Sequence, residues 1–258
     1  MSGIIFITGT DTSVGKTLLT ALLLCHLRRK GIHALAMKPF CCGDRGDVEF
    51  LQKFQPGELT NDVANPFYFK APLAPFVATK KRRRKIKMNE VVEKITSVKA
   101  RCDLLLVEGV GGVMVPLGEN FFIRDLIQEL TCNVVLVAKN SLGTINHSLL
   151  SVSALHIAYG KELVIILMEQ PKDDISSKSN SVTIAKLLHP TRVISVPFFG
   201  KKSIQPDRIK KTAKKLEKKL DALLSALYFN TTVTDLVLNK PFKIKLKSFD
   251  SCSRSDNF

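Results

Sequence analysis

Gly9-Thr10-Asp11-Thr12-Ser13-Val14-Gly15-Lys16-Thr17 lies between a β-branched and aromatic run at residues 4–8 and a leucine-rich stretch at 16–30. The first run reads as a strand. In the second, Leu18, Leu19, Leu22, Leu23 and Leu27 repeat at helical spacing and Gly31 stands where the helix ends. A glycine-rich turn that closes on Gly-Lys-Thr between strand and helix is the context of a phosphate-binding loop. Its backbone N–H groups point inward, and the helix N-terminus adds about half a positive charge. Lys16 then reaches the outer phosphates and the Thr17 hydroxyl a Mg²⁺ ion. Gly9, Ser13, Val14, Gly15, Lys16, Thr17 and Leu18 are the candidate nucleotide contacts. Five residues separate Gly9 from Gly15, so Thr10 holds the position where a glycine is usual.

Outward from this loop, strand and helix alternate. Apolar runs at 33–37, 103–107, 133–138, 163–168 and 192–196 read as strands, and 88–100, 123–130, 148–159 and 182–188 as helices. A short helix is expected near 47–54, within an otherwise irregular 41–80. The strands are continuously apolar, as in a parallel sheet covered on both sides. The expected class is α/β: three layers, a mostly parallel sheet with helices on both faces, of P-loop NTPase type. Ile209, Ala213, Leu216, Leu220, Leu223 and Leu227 form one stripe, which predicts a single amphipathic helix from Pro206 to about 228. Residues 1–229 read as one domain, and 230–258 as a polar, lysine-rich tail.

With 45% hydrophobic and 24% charged residues in 258, wholesale disorder is excluded. No apolar stretch is long enough for a transmembrane helix, the start lacks a basic region before its apolar run, and six cysteines without a CxxC pair suit reduced thiols. The expectation is a cytoplasmic protein with no membrane partner. The net charge of +16 is local: residues 80–87, 201–219 and 240–247 carry 20 of the 39 Lys and Arg and 2 of the 23 acids, leaving 19 cations and 21 acids elsewhere. Solvated helix and loop faces account for such runs, and a nucleic-acid partner is not expected.

Two strand ends face the same crevice, where ligands of open α/β sheets bind. Leu104-Leu105-Leu106-Val107-Glu108-Gly109-Val110-Gly111-Gly112 reads as a buried strand ending in a carboxylate, followed by a glycine-rich turn. Glu108 can meet the metal there, and Gly109, Val110 and Gly111 allow close backbone approach to a ligand. Met37-Lys38-Pro39 closes the second strand and aims Lys38 at the crevice. Asp47, at an expected helix start, reads in isolation as a helix cap more readily than as a metal ligand. None of the five histidines has metal-ligand spacing.

GTDTSVGKT (9–17), MKP (37–39), NPFYFKAPLAP (65–75), VEGVGG (107–112) and SLGTINH (141–147), in this order, resemble the dethiobiotin synthetase family. The resemblance spans about residues 3–200. It implies ring closure of 7,8-diaminopelargonic acid with CO₂ and ATP, with Mg²⁺, through a carbamate and a carbamic–phosphoric anhydride. By position it makes Lys16 and Lys38 the lysines beside the reacting carbamate and Thr12 a hydroxyl donor to it. Thr17, Asp47 and Glu108 become the Mg²⁺ ligands. Asn146 becomes a substrate-carboxylate contact across a homodimer interface.

Two positions depart from the family pattern. Cys42 stands where serine is usual in the substrate loop, and a thiol is the weaker hydrogen-bond partner. Glu169 stands where an asparagine usually reads adenine; a carboxylate only accepts, so GTP or CTP become possible beside ATP. Pro197, Phe198 and Phe199 loosely match a segment that lines the base. A partition-type or regulatory P-loop ATPase that binds DNA or a membrane through the basic stretches is the alternative. It is disfavoured by the missing second lysine at Thr10-Asp11.

Overall fold

The computed structural model describes residues 3–81, 85–156, 162–172, 174–200 and 205–228. Six strands form one parallel sheet: β1 (Ile4–Gly9), β2 (Ala34–Met37), β5 (Leu104–Gly112), β6 (Asn133–Lys139), β7 (Leu163–Met168) and β8 (Arg192–Val196), in the order β2-β5-β1-β6-β7-β8. The strand with the phosphate loop thus lies mid-sheet, with Ile7 paired to Glu108 on one side and to Val135 on the other. Successive β1 side chains feed opposite cores. Ile4 and Phe6 pack with α5 (Met88–Lys99), α6 (Ile123–Leu130), α7 (Thr144–His156) and α8 (Ser177–Leu187). Ile5 and Ile7 pack with α1 (Lys16–Arg29), α9 (Pro206–Lys215) and α10 (Glu217–Leu227). Both faces are buried, which is why the strands carry no polar alternation.

Four expectations are corrected. The 41–80 stretch is not irregular: β3 (Phe40–Cys42) and β4 (Phe67–Phe69) form a second parallel sheet, flanked by α2 (Gly46–Gln52), α3 (Asn61–Ala64) and α4 (Pro75–Lys81). Three-residue strands are too short to show a period. The glycines after Glu108 do not end the strand: β5 runs to Gly112, with a shift of register against β1 between Ile7 and Gly9 that Gly111 accommodates at φ 62°. The helix expected from Pro206 to 228 is two helices that meet at Leu216 (φ −93°, ψ 9°), still with one buried stripe. Helix α7 starts at Thr144 rather than near 148, so Asn146 lies in its first turn and not in a loop. The expected tail at 230–258, the centre of the 80–87 basic run and the end of the 148–159 helix lie outside the described residues.

A buried histidine ties α10 to α1, beside ion pairs from Arg29 and Lys30 to Glu217 and from Lys30 to Asp221. His26 is fully buried on α1; its Nε2–H donates to Asp221 Oδ1 (2.8 Å), and Nδ1 accepts from Arg29 Nη2 (3.3 Å). Both nitrogens are used by a neutral ring. Burial lowers its pKa below the ordinary 6.5, more than the Asp221 carboxylate raises it. The unfolded chain therefore takes up a proton near 6.5 that the fold resists. Stability is full above that pH and falls below it. The thermal midpoint is expected to drop between about pH 7 and about pH 5.5 by more in the wild type than in His26→Gln. Equal drops would assign the acid sensitivity to other groups.

Candidate active site

The loop at 9–17 folds tightly over the end of β1. A Cβ on Gly9 would stand 2.8 Å from Val14 Cγ2 and 2.9 Å from Asp11 O, so only glycine fits. Ser13 (φ 53°) and Gly15 (φ 103°) take left-handed conformations that turn successive N–H groups the same way. No side chain caps the N-terminus of α1, and its first turn has no acid. Its free N–H groups and positive dipole end are available to an anion.

Strands β1, β5 and β2 are neighbours and parallel, so the residues at their C-terminal ends converge although 16, 38 and 108 are far apart in the chain. Glu108 is fully buried. Its Oε1 accepts from the Thr17 hydroxyl (2.7 Å) and from Lys38 Nζ (2.9 Å). Lys38 also pairs with Asp47, which settles the choice at that residue: Asp47 is no helix cap but part of the charged cluster. Lys16 Nζ folds back onto Asp11 O (2.8 Å). Burial pulls the Lys16 ammonium down to about 8, although Glu108 counteracts this. At Lys38 burial acts in the same sense, but Glu108 and Asp47 together outweigh it and hold the pKa above the ordinary lysine range. Burial raises the Asp47 carboxyl, and Lys38 with the Thr17 hydroxyl brings it net below its ordinary value. Lys16, Lys38 and Asp47 line a cavity of about 390 Å³, with Glu108 buried behind them.

That cavity is lined by Thr12, Ser13, Gly15, Lys16, Thr17, Leu18, Lys38, Cys42, Asp47, Val110 and Gly111, among others. Gly111 brings backbone near Thr12: a Cβ there would lie 3.7 Å from Thr12 Cγ2. Burial raises the Cys42 thiol to about 11, so it is a neutral, weak partner at neutral pH. Glu108 Oε2 is buried and makes no hydrogen bond, while the Thr17 hydroxyl turns its proton to Oε1 and frees its lone pairs. An unsatisfied carboxylate oxygen, a hydroxyl oxygen and the Asp47 carboxylate form a hard-oxygen set that fits Mg²⁺. A larger apolar cavity of about 850 Å³, walled by Phe76, Ile86, Met88 and Phe121, holds none of these groups.

Other residues singled out from the sequence lie elsewhere. Asn146 is exposed on α7 and does not line this cavity. Glu169 follows β7, with Pro197 and Phe198 exposed and Phe199 half-buried after β8. Two supporting residues had no assigned role. Asn65 Nδ2 donates to Lys38 O (2.8 Å) and Pro39 O (3.2 Å), and Arg45 Nε donates to Asn65 Oδ1 (3.1 Å), which fixes the backbone behind Lys38. The NPFYFKAPLAP stretch carried that signal, but only the fold shows what it touches.

The family model described as an AAA domain matches residues 4–205. Among solved structures, a ParA family ATPase from Chlorobium tepidum TLS superposes with a TM-score of 0.50 at 16% identity, covering 93% of this chain and all of that one; the likeness is one of fold. Proteins named ATP-dependent dethiobiotin synthetase BioD are similar in sequence. The one from Bacillus licheniformis is 36% identical over 178 residues, 67% of this chain and 74% of that protein. The one from Anaeromyxobacter sp. (strain Fw109-5) is 39% identical over 189 residues, 71% and 84% of the two chains. The one from Thermodesulfovibrio yellowstonii is 33% identical over 226 residues, 81% and 93%. With a phosphate loop, a buried lysine–carboxylate cluster at the same crevice and relatives matched over most of their length, the chain belongs to the dethiobiotin synthetase family.

Proposed function

We propose that this protein is a cytoplasmic ligase of biotin biosynthesis that closes the ureido ring of dethiobiotin. It takes 7,8-diaminopelargonic acid, CO₂ and a nucleoside triphosphate. The observation that carries this is the pair Lys16 and Lys38 at one cavity, beside the phosphate loop. A carbamate and a triphosphate are both anions, and they approach each other only between fixed cations. One amine of the diamine captures CO₂ as a carbamate and releases a proton to water. The carbamate oxygen attacks the γ-phosphorus and the nucleoside diphosphate leaves. The second amine attacks the carbonyl carbon of the resulting anhydride and phosphate departs.

Each residue has a role in that sequence. Lys38, held charged by Glu108 and Asp47, serves as a cation and not as a base. Lys16 leaves Asp11 O for the γ-phosphate, and Thr12 donates to the carbamate. Mg²⁺ on Thr17, Asp47 and Glu108 would neutralise phosphate charge and draw the leaving group. Cys42 faces the same cavity and supplies only a thiol where a hydroxyl would bind the substrate better.

The reaction is tested by mass spectrometry. Pure protein is mixed with diaminopelargonic acid, bicarbonate, MgCl₂ and ATP, GTP or CTP in separate tubes. A dethiobiotin mass in any tube supports the reading. Nucleotide hydrolysis without that mass would overturn it and return attention to a regulatory ATPase. That alternative is not favoured, because the likeness to a ParA family ATPase is one of fold at 16% identity.

The active unit is proposed to be a homodimer. Leu150 (62% exposed) lies one helical turn from Asn146 on α7, and Leu142 (84%) and Met114 (45%) are exposed too. Large apolar side chains around a polar substrate residue suit a surface closed by a second copy. Sedimentation velocity is expected to show a two-chain species that Leu150→Asp disrupts; a monomer at all concentrations would sink the shared-site proposal.

A further inference from the structure

Lys38 and Asp47 pair at the cavity, but regular structure alone places neither. Lys38 stands in the two-residue link between β2 and β3. Asp47 stands in the first turn of α2, a seven-residue helix that no side chain caps. One buried amide lies between the two segments. Asn65, 1% exposed, gives its Nδ2 hydrogens to that link, one to Lys38 O (2.8 Å) and one to Pro39 O (3.2 Å). Its Oδ1 accepts from Arg45 Nε (3.1 Å), and its main-chain O accepts from Arg45 Nη2 (3.3 Å). Arg45 is the N-cap residue of α2, two residues before Asp47. The amide fits one way only, since its NH₂ must meet the carbonyls and its oxygen the guanidinium.

The loop that carries Arg45 is held at a second point. The guanidinium carbon lies 4.3 Å from the centroid of the Tyr68 ring. Tyr68 OH donates to Gly43 O (3.1 Å), and Gly43 N donates to Phe69 O (2.8 Å). Gly43 takes φ 88°, where the chain turns out of β3. Asn65 and Tyr68 come from one short stretch, and together they grip the chain before β3 and after it. Arg45 Nη2 also meets Asp62 Oδ1 (2.9 Å), but Asp62 is 88% exposed and a pair of that kind contributes little.

We propose that Asn65, Arg45 and Tyr68 are positioning residues that set where Lys38 and Asp47 stand relative to each other. This rests on the reading of the cavity as a site for Mg²⁺ and a nucleotide. None of the three lines the cavity; they act through the backbone on either side of β3. A lysine at position 45 would keep the charge but lose the fork that meets Asn65 and the flat face that meets Tyr68. The size of the effect follows from small displacements. A misplacement of about 1 Å at a reacting group costs on the order of 10²-fold in rate. Losing a group that orients a metal ligand costs about 10- to 100-fold in metal affinity or activity.

The test is binding of a fluorescent nucleotide to the full chain, in EDTA and in MgCl₂, with dethiobiotin formation measured beside it. No variant touches the phosphate loop, so affinity in EDTA should keep its wild-type value. The gain in affinity on adding Mg²⁺ should fall about tenfold or more in Asn65→Leu and in Arg45→Met. Arg45→Lys should not restore it. In the reaction the half-saturating Mg²⁺ concentration should rise about 10- to 100-fold as kcat falls. Fewer folded molecules would lower kcat and leave both metal readouts unmoved. Asp62→Asn should keep the wild-type gain. If Asn65→Leu does not fold, Arg45→Met, at a side chain 21% exposed, still decides. A wild-type gain in Arg45→Met, full restoration by Arg45→Lys, or a loss in Asp62→Asn as large as in Asn65→Leu would overturn the proposal. Absence of any Mg²⁺ gain in the wild type would remove the metal reading and the proposal together. The expected losses without a dethiobiotin product would uphold the positioning role while the reaction reading fails.

Discussion

Lys16→Ala is expected to yield a folded protein with product formation reduced on the order of 10³-fold or more. The size follows from its task. Phosphoryl transfer is almost wholly positioning and charge neutralisation, and Lys16 is the only cation in the phosphate loop itself. In the structure its ammonium makes one hydrogen bond, to Asp11 O at 2.8 Å. Losing it costs about 1 kcal/mol of stability. Thermal unfolding should therefore shift little while turnover collapses. Product at the wild-type rate in this variant would take the phosphate loop out of the mechanism.

Glu108→Gln carries the second large effect, and a different readout. The side chain keeps its volume, and its amide oxygen can still accept from Thr17 and Lys38. Two things change. The metal site loses one negative charge at the oxygen that is buried without a partner, Oε2. Lys38 loses the carboxylate that most offsets its burial, so its pKa falls back and it is less firmly charged. The half-saturating Mg²⁺ concentration should rise about 10- to 100-fold, read by titrating the metal at fixed nucleotide. An unchanged titration would move Glu108 out of the metal site. Glu108→Leu is the poorer test, because it strands a buried lysine on the single partner Asp47.

What was legible differs by residue, and the reason is range. The phosphate loop is nine consecutive residues whose turn, dipole and lysine act locally, so its spacing alone identifies it. Lys38 and Glu108 could be placed at strand ends facing one crevice, since parallel strands share a carboxyl edge. Their direct contact could not be read: 70 residues separate them. The same holds for Asn140 and Glu169, 29 apart, and for His26 and Asp221, 195 apart. Hydrogen bonds between such positions leave no periodicity.

Glycine propensity argued for a turn after Glu108, but β5 continues through an irregularity, with Gly111 at φ 62°, and pairs with β1 again at Gly112. The apolar stripe of 209–227 survives a break at Leu216, so periodicity could not reveal it.

Taken alone, the sequence determined the layered α/β class, the seat of the phosphates and the apolar faces of the helices. Each of these is set by neighbours within a few turns of chain. Only the tertiary structure decided that Asp47 pairs with Lys38 rather than capping a helix. It alone showed that Glu108 keeps one oxygen unpartnered and that Asn140 bonds both carboxylate oxygens of Glu169. Those outcomes depend on which side chains the closed sheet brings within hydrogen-bond distance, and burial then makes each unpaired or paired charge count.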